Sequence, residues 1–509
     1  MKPKNSHFMN KVRYISAICL LLCSLAASAQ TFERVYDNNF WNRSRNVTGV
    51  RQDSVSRSYA ELYGGYESGE FRDTWQAEES WHAGAVTASI QHMEKMSLTG
   101  SFSFTQTEGY RQCGSMFINP GFYPVDILEF TPGRKTLQEY RFNGGISYDV
   151  ASKWRIGARM DFESANISKK KDLRHMNYLL DMTVTPGFMY HDGNFAVGAS
   201  AIFRKTSERI EAEQVGTSES SYYAFLDKGL MYGVHSVWNG SGLHLEESGV
   251  NGFPVKDFTY GGAVQLQYKG VFAELEYSET SGTVGEKEYI WFLFPGKEAK
   301  AMLGFRHNSG NETHLGRVNL GWKQRSLDEN VLEKVSENGV ATVICHGKNR
   351  IFTEGIWNLS PEYEYIADRI EFKARLDLDW QEGIASQMYP YISTQRLMTG
   401  NAYFRTRLHL GIFDLDINFR TGWGDVTNSS RTADAASGVE GKPYRLEGWY
   451  NRHIEFMTAP YIGAGAAIKC NFWKGMYVKA SGEWLAGECF RIINGPGRLE
   501  TTLRIGYNF

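Results

Sequence analysis

The chain has 509 residues, 42% of them hydrophobic and 22% charged, a balance that buries a core and argues against long disorder. Aromatics reach 14%, 52 glycines stand against 12 prolines, and the mean hydropathy is −0.41 with no long apolar run after residue 29. A helical membrane protein is excluded, and a glycine- and aromatic-rich, mostly β chain is left.

Lys2, Lys4, Lys11 and Arg13 precede an apolar stretch over residues 15–26 that ends in Ala27-Ser28-Ala29. A basic front, a short apolar centre and an A-x-A exit read as a secretory signal over residues 1–29, cleaved between Ala29 and Gln30. Ile18 and Leu22, large residues before Cys19 and Cys23, argue against a lipoprotein signal. Cleavage removes four cations and leaves 51 Lys and Arg against 57 Asp and Glu. That mild acidity offers no basic field for a nucleic-acid partner. Residues 30–57 form an N-terminal segment that either tucks into the mouth of the β domain or hangs as a periplasmic tail.

From residue 58 to 509 the pattern has period two. Trp154, Ile156, Ala158, Met160 and Phe162 alternate with Arg155, Gly157, Arg159, Asp161 and Glu163. Ile370, Phe372, Ala374, Leu376, Leu378 and Trp380 alternate with Glu371, Lys373, Arg375, Asp377 and Asp379, and Phe413, Leu415, Ile417 and Phe419 with Asp414, Asp416, Asn418 and Arg420. Any antiparallel sheet with one wet face alternates in this way. Three further features select a membrane barrel. Runs of 10 to 13 residues suit a tilted membrane strand. Connections alternate between short (92–95, 151–153, 191–193, 269–270, 308–311, 367–369, 411–412, 471–475) and long and polar (211–256, 326–350, 425–452), the arrangement of outer-membrane barrels. The final strand places Leu499, Thr501, Leu503, Ile505, Tyr507 and Phe509 on one face, which resembles the signal read by barrel-assembly machinery.

Counting runs between these links predicts a transmembrane antiparallel β-barrel of about 18 strands, with 16 as the fallback, short periplasmic turns and long extracellular loops. Tyr178 with Tyr190, and Tyr260 with Tyr268, suit the two aromatic girdles. The weak stretches are 58–66, 288–295 and 299–307, which also read as loop. Pro186, Pro361 and Pro460 interrupt strand-like runs and predict bulges, strand ends or local distortion. The segment before the first strand is far too short for the plug domain of a TonB-dependent receptor.

The polar faces carrying Arg375 and Asp377, Arg405 and Arg407 with His409, and Asp414 and Asp416 lie on successive strands, where opposite charges can pair. They line either a solute path or a salt-bridged filling that holds a wet interior together. Residues 113–136 hold three prolines and the apolar Met116, Phe117, Phe122, Ile127, Leu128 and Phe130, unusual for an exposed loop. The segment either folds inward as a constriction, docks a partner, or packs against its neighbours to stiffen the rim. The basic run 169–175 reads as a solvated loop or a contact for lipopolysaccharide phosphates. His235, His244, Glu246 and Glu247 share one loop without metal-site spacing. No nucleophile or zinc-hydrolase motif is present, and His409 is the single general-base candidate. Of Cys113, Cys345, Cys470 and Cys489, either a bridge or free thiols are expected.

The run 113–136, with 171–175, 221–232 and 252–256, resembles a family of Bacteroides-type outer-membrane barrels of unknown function over the whole mature chain. That resemblance implies a Gram-negative outer membrane, no established enzymatic activity, no cofactor, and a setting beside TonB-linked uptake components. The expected function is porin-like or partner-assisted passage of a polar solute in nutrient acquisition, iron included. The alternative is a non-conducting accessory barrel that presents loops to a TonB-dependent receptor or surface lipoprotein, and a remote third is an outer-membrane hydrolase.

Overall fold

A computed structural model describes Phe32, Tyr36 and residues 39–52, 55–213, 224–232, 236–238, 252–286, 289–337, 340–388, 391–429, 431, 437–439, 442–444, 446–488 and 490–509. The expected signal segment, its cleavage site, Cys489 and the loop residues His235, His244, Glu246 and Glu247 lie outside the described residues.

The alternating runs form strands β1 (Arg57–Gly69), β2 (Glu79–His92), β3 (Met96–Ser115), β4 (Asp126–Ala151), β5 (Trp154–Lys169), β6 (Arg174–Asp192) and β7 (Phe195–Glu213). The short strands β8 (Ala224–Asp227) and β9 (Ser236–Trp238) come next, then β10 (Phe253–Tyr268), β11 (Val271–Glu286), β12 (Tyr289–Ser309), β13 (Glu312–Glu337), β14 (Val340–Ile366), β15 (Ile370–Met388), β16 (Tyr391–Leu410) and β17 (Phe413–Ser429). A small hairpin, β18 (Ser437–Val439) and β19 (Lys442–Tyr444), precedes β20 (Tyr461–Asn471), β21 (Met476–Gly487) and β22 (Gly497–Asn508). Among the described residues two helices stand outside the sheet, α1 (Phe40–Arg43) and α2 (Glu447–Thr458), together with a 3₁₀ turn over Val47–Gln52.

Neighbouring long strands pair antiparallel all the way round. β1 pairs with β2 on one side and with β22 on the other, with Leu62 opposite Ile505 and Tyr59 opposite Asn508. The result is a closed barrel of 18 strands. Closure satisfies every strand's backbone without an edge, which hydrocarbon demands. At one end the links are tight, and Gly193, Gly310 and Gly411 take φ of +59°, +59° and +72° there. Two-residue hairpin turns call for positive φ, which glycine adopts without a Cβ clash.

Each strand presents its apolar set outward. Trp154, Ile156 and Met160 are exposed while Arg155 between them is buried. Tyr178 and Tyr190 are twelve positions apart on β6. At a rise of about 3.3 Å per residue and a tilt of about 40°, that separates the girdles by roughly 30 Å, near the thickness of a bilayer's hydrocarbon core.

Several expectations need correction. The described residues of 326–350 are strand rather than loop: β13 and β14, of 26 and 27 residues, pair along a hairpin that runs well past the membrane band. Alternation carried into a two-strand projection leaves no composition break to mark where the wall ends. Of residues 113–136, only 116–125 connect strands, and residues 425–452 contain the end of β17 and the start of α2. Residues 58–66, 289–295 and 299–307 lie in strands. The prolines behave as expected: Pro186 and Pro361 stay in register but interrupt the ladder toward β7 and β15, because proline has no N–H to give, and Pro460 stands just before the start of β20.

Val264 sits midway between Tyr260 and Tyr268 and is 56% exposed on the outer face. Val264→Arg is expected to cost about 2–4 kcal/mol, the penalty for a charge facing lipid at mid-depth, in guanidinium titrations of protein folded into liposomes.

Candidate functional site: segments folded into the lumen

The N-terminal segment touches inward residues from β2 to β14, which a short peptide reaches only from inside the ring. Asn39 starts α1 by accepting a hydrogen bond from the Trp41 N–H at 3.0 Å. Phe40 and Trp41 then pack on Met189, Ala196, Phe272, Leu315 and Ile366, all near the tight-turn end. Trp41 Nε1 donates to Gln267, and Ser44 donates to Glu274. Arg45 Nε lies 2.8 Å from Glu276, and Asn46 Nδ2 donates to the Phe188 carbonyl at 2.9 Å and to that of Ala199 at 3.2 Å. Arg51 pairs with Asp149 at 2.9 Å. The wall makes room with glycine. A Cβ at Gly187 or Gly198 would stand 2.6 or 2.7 Å from Asn46, and one at Gly145 or Gly157 would stand 2.6 or 2.9 Å from Val47. Contacts this close displace the segment or the wall.

At the opposite end loops fold into the ring. Residues 116–125 turn into the ring, where the Ile118 N–H donates to Glu208 of β7 at 2.9 Å and Asn177 of β6 donates to the Met116 carbonyl at 2.7 Å. Arg325 of β13 donates to the carbonyls of Gly121 and Phe122 at 2.9 and 2.7 Å. Met116, Phe117 and Ile127 are buried in an apolar core with Leu226, Phe253, Val284, Phe294, Leu327 and Phe352. Phe122 is partly buried, with the Arg204 guanidinium 5.1 Å above its ring and the Lys323 ammonium at 6.0 Å. Phe130 instead joins a second core with Leu128, Phe225, Tyr450 and Ile454, stacking on Trp449 of α2 at 4.2 Å. Burial pushes the Tyr123 hydroxyl upward, so it stays protonated within the cap. His453 of α2 pairs with Asp73 of the β1–β2 loop at 2.9 Å, and Glu455 accepts the Ile492 and Ile493 N–H groups at 2.9 and 2.7 Å.

Beside the N-terminal segment lies a cavity of about 590 Å³, with Arg45 and Phe32 on one side and Arg159, Asp161, Arg204 and Glu298 on the wall. Its ions are paired: Arg159 meets Asp161 at 2.9 Å, Arg204 meets Asp181, and Lys300 meets Glu298 at 2.9 Å.

Arg375, Asp377, Arg405, Arg407, Asp414 and Asp416 all face inward, but none borders this cavity. They form a wall of ion pairs on β14–β17 and β21. Arg407 meets Asp416 at 2.5 Å and Glu371 at 3.3 Å, Lys479 meets Asp416 at 3.3 Å, Arg375 meets Asp377 at 2.8 Å, and Arg405 meets Glu364 at 3.8 Å. Both ring nitrogens of His409 contact carboxylates, Asp414 at 2.7 Å and Glu371 at 3.3 Å, rather than a nucleophile. The run 169–175 is not one solvated patch, since Lys169 and His175 are buried, Lys169 against Glu129. Cys113, Cys345 and Cys470 are free thiols, and among the described residues no cluster of three metal-binding side chains occurs. Sequence reasoning missed the inner glycines at 145, 157, 187 and 198. Their mark was visible, glycine on the polar parity of four consecutive strands.

Residues 47–509 match the model of the family of unknown function DUF6850. The chain belongs to this family. No curated protein matches this family member. Among solved structures, the FrpB iron transporter from Neisseria meningitidis is 8% identical, with 90% of this chain and 82% of that chain covered and a TM-score of 0.43. The ferric preacinetobactin receptor BauA from Acinetobacter baumannii is 6% identical, with coverages of 89% and 80% and a TM-score of 0.39. The copper transporter OprC is 8% identical over the same shares, also at 0.39.

Replacing both Gly157 and Gly187 with valine is expected to expel the N-terminal segment. Overpacking of roughly 1–3 kcal/mol raises the released fraction by roughly five- to a hundred-and-fifty-fold. Trypsin cleavage after Arg45 and Arg51 accelerates accordingly while the barrel keeps its heat-modifiable gel mobility.

Proposed function

We propose that this chain is an outer-membrane barrel of nutrient uptake whose lumen is closed at rest by its own segments, and that a polar solute passes only when a partner displaces them. The observation that carries this reading is the pair of seals, the N-terminal segment at the tight-turn end and residues 116–125 with α2 at the other. The N-terminal seal is held largely by hydrogen bonds and ion pairs, which exchange with water at little net cost once its two aromatic anchors leave their pocket. A TonB-linked receptor or a surface lipoprotein is the partner class in this account. The inward ion pairs around Arg375, Asp377, Arg405, Arg407, Asp414 and Asp416 keep the wall wet and polar for such a solute. Outer-membrane residence is supported by the closed ring and the outward apolar faces. The same segments also set the orientation, with tight turns in the periplasm and long loops outside.

A second reading, the accessory barrel that never conducts, is favoured by the apolar character of the outer seal. Its core draws on strands from β4 round to β15, and such burial does not open by thermal motion alone. Planar bilayer recording separates these readings. The intact protein is expected to be silent, and a variant lacking residues 40–52 with 116–125 replaced by a short glycine-serine link is expected to give ohmic steps. Steps from the intact protein contradict the closed state, and silence from the shortened, correctly folded barrel favours the accessory reading.

A further inference from the structure

Toward the long-loop end the outward face of β3–β5 changes character in an ordered way. On β4 it runs from Phe142 and Tyr140 through Gln138 to Arg134, on β3 from Phe102 and Phe104 through Gln106 to Glu108, and on β5 from Phe162 through Ser164 and Asn166 to Ser168. Gln106 stands opposite Gln138, and Gln138 opposite Asn166. Gln138 Nε2 donates to Gln106 Oε1 at 3.1 Å, and Asn166 Nδ2 donates to Gln138 Oε1 at 3.4 Å. Three linked amides on the outside of a membrane barrel serve neither the lumen nor an alkyl chain, and each retains donor or acceptor capacity. Beside them lies an outward groove across β22, β1 and β2. Gly64, Ala83 and Ala85 form its floor, Leu62, Trp81 and Leu503 line it, and Gln106, opposite Ala83, and Glu108 border it on β3. Above them Glu108 pairs with Arg134, and Glu79 with Arg111 at 3.2 Å. Lys170, whose N–H donates to the Arg134 carbonyl at 3.3 Å, is exposed on this face near Glu108.

We propose that this face is a binding surface for lipopolysaccharide, a phosphorylated glycolipid. Its phosphate sits on Lys170, its sugar hydroxyls on the Gln106–Gln138–Asn166 ladder, and an acyl chain in the groove of Gly64, Ala83 and Ala85 alongside. The order of cation, amide and aromatic along β3–β5, with the small apolar groove beside the amides, matches phosphate, sugar and chain. A diacyl phospholipid supplies the first and last of these but no polyhydroxylated ring for the amides. The surface rests on the outer-membrane placement proposed above, which membrane fractionation tests separately: recovery of the chain in inner-membrane fractions defeats that placement whatever the lipid binding shows.

The test is the thermal unfolding midpoint of the full mature protein in detergent micelles, titrated with purified lipopolysaccharide or with phosphatidylglycerol at equal phosphate. Lipopolysaccharide is expected to raise the midpoint and phosphatidylglycerol to leave it unchanged. K170Q and Q138A each raise the half-saturating concentration by about tenfold, while K297Q, on the outer face of β12, leaves it unchanged. Heat-modifiable gel mobility identifies folded variants, and K170A replaces K170Q if that fails to fold. An equal response to both lipids, or wild-type binding by the folded lysine variant and Q138A, overturns the proposal.

Discussion

The pairing of the first strand with the last is the interaction on which the rest of the molecule depends. An open sheet of this length would leave a row of unpaired N–H and C=O groups along β1 and β22, and hydrocarbon offers them nothing. Joining Leu62 to Ile505 and their neighbours along the seam removes both edges at once. Odd and even positions must then face different media, and the exposed Trp154, Ile156 and Met160 beside buried Arg155 result from that division.

Closure creates a second difficulty, because a ring of 18 strands encloses more space than its wall side chains fill. The chain answers with material from both ends of the ring. Polar contacts hold the N-terminal segment against inner glycines, while an apolar core gathers the outer loops. Between them the inward charges pair across neighbouring strands, Arg407 with Asp416 and Arg204 with Asp181 among them. Pairing keeps the interior hydrated without leaving isolated ions facing a low-dielectric seal.

Strand identity, strand number, tight turns and the inner face were legible in the sequence because they depend on period two and on local turn chemistry, as at Gly193 and Gly310. The destination of the N-terminal segment was not, since Asn46 meets the Phe188 and Ala199 carbonyls and Gln265 at sequence separations above 140. The same limit hid the roles of Phe122 and Phe130. Both stand in one apolar run, yet one meets Arg204 and the other stacks on Trp449. Lys169 and His175 looked solvated because charge alone marks a surface, whereas Glu129 offsets the cost of burying Lys169.

The most direct measurement is covalent closure of the ring. In a background with its native cysteines changed to serine, L62C and I505C place thiols on the facing positions of β1 and β22. Mild oxidation of the membrane-inserted protein is expected to join them, giving a denatured chain of faster gel mobility that reduction reverses. Failure to cross-link there, while a control pair at Leu62 and Ala85 across β1 and β2 does cross-link, would contradict a closed barrel.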